Sequence, residues 1–86
     1  MSVEQIISQK LTAEFQPQAL FIENESHRHS SGRGAESHFK VTLISEQFSA
    51  MNAVARHRAV YRCLAEELAQ GVHALALHLY SPAEWQ

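Results

Sequence analysis

Residues 71–80 read GVHALALHLY, and the reading of this stretch decides the fold. Gly71 is a good stop for a preceding helix, and the apolar run at 72–80 reads as a strand. Residues 50–70 upstream are helical. His57, Val60, Tyr61, Leu64, Ala65 and Leu68 fall at i, i+3, i+4, i+7, i+8 and i+11, a continuous apolar stripe. A break near Asn52 splits off a first turn. Residues 37–45 before it place Phe39, Val41 and Leu43 on one face and Lys40 and Thr42 on the other, the period of a strand. Two strands joined by a helix favour a parallel, right-handed crossover.

Further out, residues 19–25 (ALFIENE) put Leu20 and Ile22 on one face of another strand, which should pair antiparallel with the strand at 37–45. Ser2 and Gln5 form a capping-box pattern, and Val3, Ile6, Ile7, Leu11 and Phe15 keep helical spacing up to Pro17. Ser81-Pro82-Ala83-Glu84 is a second capping box with proline at the first helical position, so a last short helix carries Trp85. The expected class is α+β: one small domain over residues 1–86, in the order α-β-β-α-β-α, with a three-stranded mixed sheet.

Composition narrows the function. A hydrophobic fraction of 45% with 19% charged residues is that of a folded soluble domain. A net charge of −2 is not the basic excess of a dedicated nucleic-acid binder, although a local basic face survives it. The single cysteine, Cys63, excludes an internal disulfide and fits a reducing compartment. Its place in the helix marks it as a small buried hydrophobe. No basic leader precedes an apolar segment, and no apolar run reaches membrane-spanning length, so the cytoplasm is expected and a membrane partner is not.

Six histidines in 86 residues are the strongest chemical signal. If the second and third strands are parallel neighbours, their N-terminal ends lie side by side. His38 begins one and His73 the other, while His27 and His29 ride on the glycine-containing connection at 26–36 that enters the same end. Imidazole is the commonest metal ligand. A closed structural site needs four ligands, and no cysteine lies nearby, so a partner would have to complete this one. A pair of histidines on one iron of a [2Fe–2S] centre has a precedent in Rieske centres.

Arg56-His57-Arg58, with Arg62 one turn on, is the basic concentration of the chain. Arg58 and Arg62 share a helix face and could touch two phosphates; the alternative is a solvated face with Arg62 paired to Glu66. Ser26-His27 and Glu36-Ser37-His38 suggest hydrolysis only superficially. That chemistry needs a held nucleophile and an oxyanion hole, and no Gly-x-Ser-x-Gly elbow is present, so no enzyme is expected.

Glu25-Ser26 with His29, then Glu36-Ser37-His38-Phe39-Lys40-Val41, Phe48, Arg56-His57-Arg58-Ala59-Val60-Tyr61, Glu66-Glu67-Leu68, Val72-His73-Ala74-Leu75 and Pro82 with Glu84-Trp85 together resemble the BolA family. The likeness runs in order through nearly the whole chain. It implies a fold similar to class II KH domains. It also implies a heterodimer with a monothiol glutaredoxin, bridged by a glutathione-ligated [2Fe–2S] cluster. The ligand histidine of the family falls on His73 and the variable second position on His29, with His27 and His38 as alternatives. The resemblance further implies a transcriptional regulator of stress response and cell shape, with its nucleic-acid element on the Arg56–Arg62 helix. In a DNA-binding reading Arg56, Arg58 and Lys40 are expected to contact phosphates. The chain departs from the family at Ala50, where glycine is frequent. Ser49-Ala50-Met51-Asn52 is also not the Gly-x-x-Gly grip of KH domains. The leading expectation is thus a non-enzymatic iron–sulfur adaptor, and the alternative a DNA-binding regulator.

Overall fold

The computed structural model describes residues 1–25 and 37–85. The first helix, α1, spans Val3–Phe15. Ser2 caps it as its pattern requires: the Ser2 hydroxyl accepts from the Gln5 amide at 3.1 Å, and the Gln5 side chain accepts from the Ser2 amide at 2.9 Å. Ile7, Leu11 and Phe15 form its buried stripe. Gln16 ends it in the left-handed region with φ 46°, and Pro17 follows.

Strands β1 (Ala19–Asn24), β2 (His38–Ile44) and β3 (Ala74–Tyr80) form one sheet in the order β1-β2-β3. β1 runs antiparallel to β2, with Ile22 opposite Val41. β2 runs parallel to β3, with Val41 opposite Leu77. The mixed sheet, with its parallel β2–β3 pair, is therefore as the connectivity required. Strand alternation sends Phe39, Val41 and Leu43 to one face, where they are fully buried or nearly so. That face packs with Ile7, Leu11, Phe15, Phe48, Val60, Leu64 and Val72 into a single core.

Between β2 and β3 lie a 3-10 turn at Glu46–Ala50, helix α2 at Ala53–Cys63 and a short helix α3 at Ala65–Ala69. The expected break falls at Asn52, whose side chain caps α2 by accepting from the Ala55 amide at 2.8 Å. A second break, at Leu64, divides the helix that the sequence reads as continuous. The entry into α2 needs no glycine at Ala50, because Gln16 is the one non-glycine residue with positive φ among the described residues. Gly71 does need its freedom: it sits at φ 138°, and the Val72 amide bonds back to the Glu67 carbonyl at 3.0 Å to close α3.

Ser45 joins three elements. Its hydroxyl donates to the Phe15 carbonyl at 2.7 Å, and its amide donates to the Tyr80 carbonyl at 3.0 Å. The last expected helix is a single turn over 82–84, in which the Glu84 and Trp85 amides both reach the Ser81 carbonyl.

Candidate functional site

Helix α2 reads AVARHRAVYRC, with three arginines and no acidic residue. Its buried side differs from the stripe expected from the sequence. Val60 and Leu64 are buried, Ala59 and Cys63 pack against the core, and Tyr61 is 40% exposed. The helix is turned so that Arg56 faces inward and Val54, Arg58, Tyr61 and Arg62 face solvent. Hydrophobic pattern alone misplaces the stripe, because Tyr61 carries an apolar ring yet is exposed and Arg56 is charged yet turned inward.

Arg56 is thereby removed from the expected phosphate contacts. Its guanidinium donates to the carbonyls of Phe48, Met51 and Leu79 at 2.8–3.1 Å and to the Glu84 carboxylate at 2.7 Å. It also stands over the Phe48 ring, 5.7 Å from its centroid. Lys40 leaves the row for another reason. It alternates with the buried Phe39 and Val41, so it lies on the sheet face away from the helices, opposite Glu23. Arg58 and Arg62 remain. The expected partner of Arg62, Glu66, is bound instead by Lys10 at 2.8 Å, and Lys10 also holds Glu67 at 2.8 Å. Among the described residues, no ion pair holds Arg58 or Arg62. A shallow cavity of about 450 Å³ opens between them, walled by Met51, Val54, Arg58 and Arg62. A second, almost wholly apolar hollow of about 410 Å³ adjoins it, between Val54, His57 and Tyr61.

The other site lies at the N-terminal ends of β2 and β3. Parallel register sets His38 opposite Ala74, one residue from His73. The Ser37 carbonyl accepts from both the His73 amide, at 2.7 Å, and the Ala74 amide, at 3.1 Å, which fixes the two strand starts together. The imidazole rings of His38 and His73 lie 6.2 Å apart between centroids. A metal–imidazole bond is about 2 Å, so two rings on one metal have centres roughly 5–6 Å apart. The observed pair lies just beyond that range, with the rings tilted 50° to one another. His73 is exposed, while His38 is half-buried with Nδ1 2.8 Å from the Ser37 hydroxyl. His27 and His29 lie outside the described residues, and the described residues contain no group of three His, Cys, Asp or Glu able to hold a metal. Among the described residues, His38 and His73 are the imidazoles that the strand pairing brings together at this end of the sheet. Cys63 is remote from it: its thiol donates to the Lys10 carbonyl at 3.6 Å, and burial pushes its pKa up, away from a reactive thiolate.

Comparison with known proteins follows this geometry closely. The family model described as BolA-like protein matches residues 11–84. The chain belongs to the BolA family. A relative from Haemophilus influenzae, named DNA-binding transcriptional regulator BolA, is 55% identical over all of this chain and 84% of its own length. The Escherichia coli protein of the same name is 49% identical over all of this chain and 82% of its own. Among solved structures, BolA1 from Arabidopsis thaliana superposes with a TM-score of 0.90 at 38% identity, covering 98% of this chain and 96% of that one. Mouse BolA1 gives 0.88 at 42% identity, covering 99% of this chain and 69% of that one. The α+β architecture derived from GVHALALHLY is thus the BolA fold.

Proposed function

We propose that this BolA-family chain is a DNA-binding transcriptional regulator whose contact element is the outer face of α2. One observation carries the reading: α2 has no acidic residue, and two of its three arginines project to solvent without an ion pair among the described residues. The names borne by the bacterial relatives support it. Net charge of −2 is no obstacle, since the contact is made by a local face. Arg58 and Arg62, one turn apart, each donate to a backbone phosphate and displace condensed counterions. Affinity should therefore fall steeply with salt. Fluorescence anisotropy of a labelled promoter duplex tests this. Arg58→Ala and Arg62→Ala should each weaken binding and make the log K against log salt slope shallower by about 1. Unchanged slopes for both variants would remove α2 from the interface.

The paired imidazoles of His38 and His73 favour a second role beside the first, that of an iron–sulfur adaptor. His73, with His29 or its alternatives His27 and His38, would supply imidazole nitrogens to one iron of a [2Fe–2S] cluster. A monothiol glutaredoxin and glutathione would supply the thiolates. The cluster, when bound, adds a redox- and oxygen-sensitive link between the two proteins. Ser37 serves this end by fixing the spacing of the two strand starts and orienting His38 through Nδ1. Both roles belong in the cytoplasm, where DNA and reduced thiols are found together. No helix among the described residues is long and apolar enough to cross a membrane.

A further inference from the structure

The DNA reading leaves two exposed apolar side chains on α2 unexplained. Val54 is 59% and Tyr61 40% exposed, and neither belongs to the core. They stand seven positions apart, on one stripe of the helix, with His57 beside them and Arg58 and Arg62 on the adjoining stripe. The apolar hollow and the arginine-walled cavity share Val54 and Arg58. This helix face therefore has a cationic side and an apolar side in contact along its length.

We infer that α2 lies lengthwise in the major groove of duplex DNA, with Val54 and Tyr61 reading base edges while the two arginines hold one backbone strand. The inference rests on the DNA reading and adds the source of sequence preference. The major groove admits an α-helix, and the feature it offers an apolar side chain is the thymine C5-methyl group. Val54, in the first turn of α2, occupies the part of a helix that docks deepest in such a groove. His57 is anchored by Nδ1 to the Ala53 carbonyl at 2.9 Å, and it lines the apolar hollow together with Val54 and Tyr61. A protein partner is the less suitable occupant. An apolar stripe of two side chains is far smaller than a stable protein interface requires, and the flanking cations are those a phosphate strand neutralises.

The experiment begins by selecting duplexes from a random 20-base-pair pool with the intact chain. Affinities for the enriched duplex are then measured with each thymine replaced in turn by uracil, which removes only the methyl group. At one thymine, uracil should weaken the wild type about fourfold, the worth of one buried methyl group. At the same position Val54→Ala should be indifferent to the exchange, and Tyr61→Ala should reduce preference for the enriched over a scrambled duplex. Both residues are exposed, so the variants should fold, and circular dichroism checks that they do. Salt-dependent binding without any enriched sequence, or equal uracil penalties in the wild type and Val54→Ala, overturns the base-reading role and leaves phosphate binding standing. Failure to bind any duplex at low salt overturns both.

Discussion

Arg56 on α2 and Glu84 in the C-terminal turn are joined at 2.7 Å, and the Arg56 side chain is only 12% exposed. The same guanidinium bonds the Leu79 carbonyl at 3.1 Å. The neighbouring Tyr80 carbonyl bonds the Ser45 amide next to β2, so Leu79 points its carbonyl to the opposite, free edge of β3. Arg56 thus fastens α2, the 3-10 turn, the edge of the sheet and the chain's last turn to one another. It also covers part of the edge of β3 that no strand pairs among the described residues.

Arg56→Ala should be severely destabilising. It strips hydrogen bonds from the carbonyls of Phe48, Met51 and Leu79 at partly buried positions, a loss of about 2–4 kcal/mol. Arg58→Ala, fully on the surface, should stay within about 0.5 kcal/mol of the wild type. Chemical denaturation of the two variants checks the contrast, which separates the structural arginine from the one proposed to contact DNA.

Glu84 adds a pH signature to the same bond. The hydrogen bond from Arg56, aided by the Ser81 amide, lowers its pKa from 4.5 to about 2. Because the folded value is depressed, the stabilisation is fully present above pH 4.5 and disappears as pH falls toward 2. Glu84→Gln should therefore melt below the wild type at neutral pH, and the gap should close as melts are repeated through that acid window.

Gly71→Ala should cost about 1–2 kcal/mol through the backbone alone. A Cβ there meets nothing within 4 Å, so no clash contributes, but φ 138° is hostile to any side chain. The loss should appear as a lower melting temperature with no change in the phosphate-contact salt slope.

These residues show what the sequence discloses and what it withholds. Caps and stops are local chemistry, so Ser2, Asn52, Gly71 and the Ser81 turn were legible in place. The mixed sheet followed from connectivity, and with it the meeting of His38 and His73. The rotation of α2 was not legible. A long arginine can bury its stem and head where carbonyls converge, and those carbonyls come from Phe48 and Leu79, 8 and 23 positions away. The ion pair of Glu66 was hidden for the same reason, because Lys10 reaches it from 56 positions away. Residue type predicts partners well within one turn and poorly across the fold.

The histidine end yields the sharpest test of the adaptor role. Mixing the chain with a cluster-loaded monothiol glutaredoxin should change visible absorption and circular dichroism, and His73→Ala should abolish the change. Unchanged spectra would remove His73 as a ligand. Identity of the second ligand is settled by three further alanine variants. His29→Ala should perturb the spectra and His27→Ala should not, by the family match. The 6.2 Å spacing gives His38 its own claim. His38→Ala as the only perturbing variant would make the strand pair itself the site, already assembled before any partner arrives. Its Ser37 bond then supplies the control: Ser37→Ala removes the hydroxyl beside Nδ1 of His38 and should weaken the cluster spectra only if His38 is a ligand.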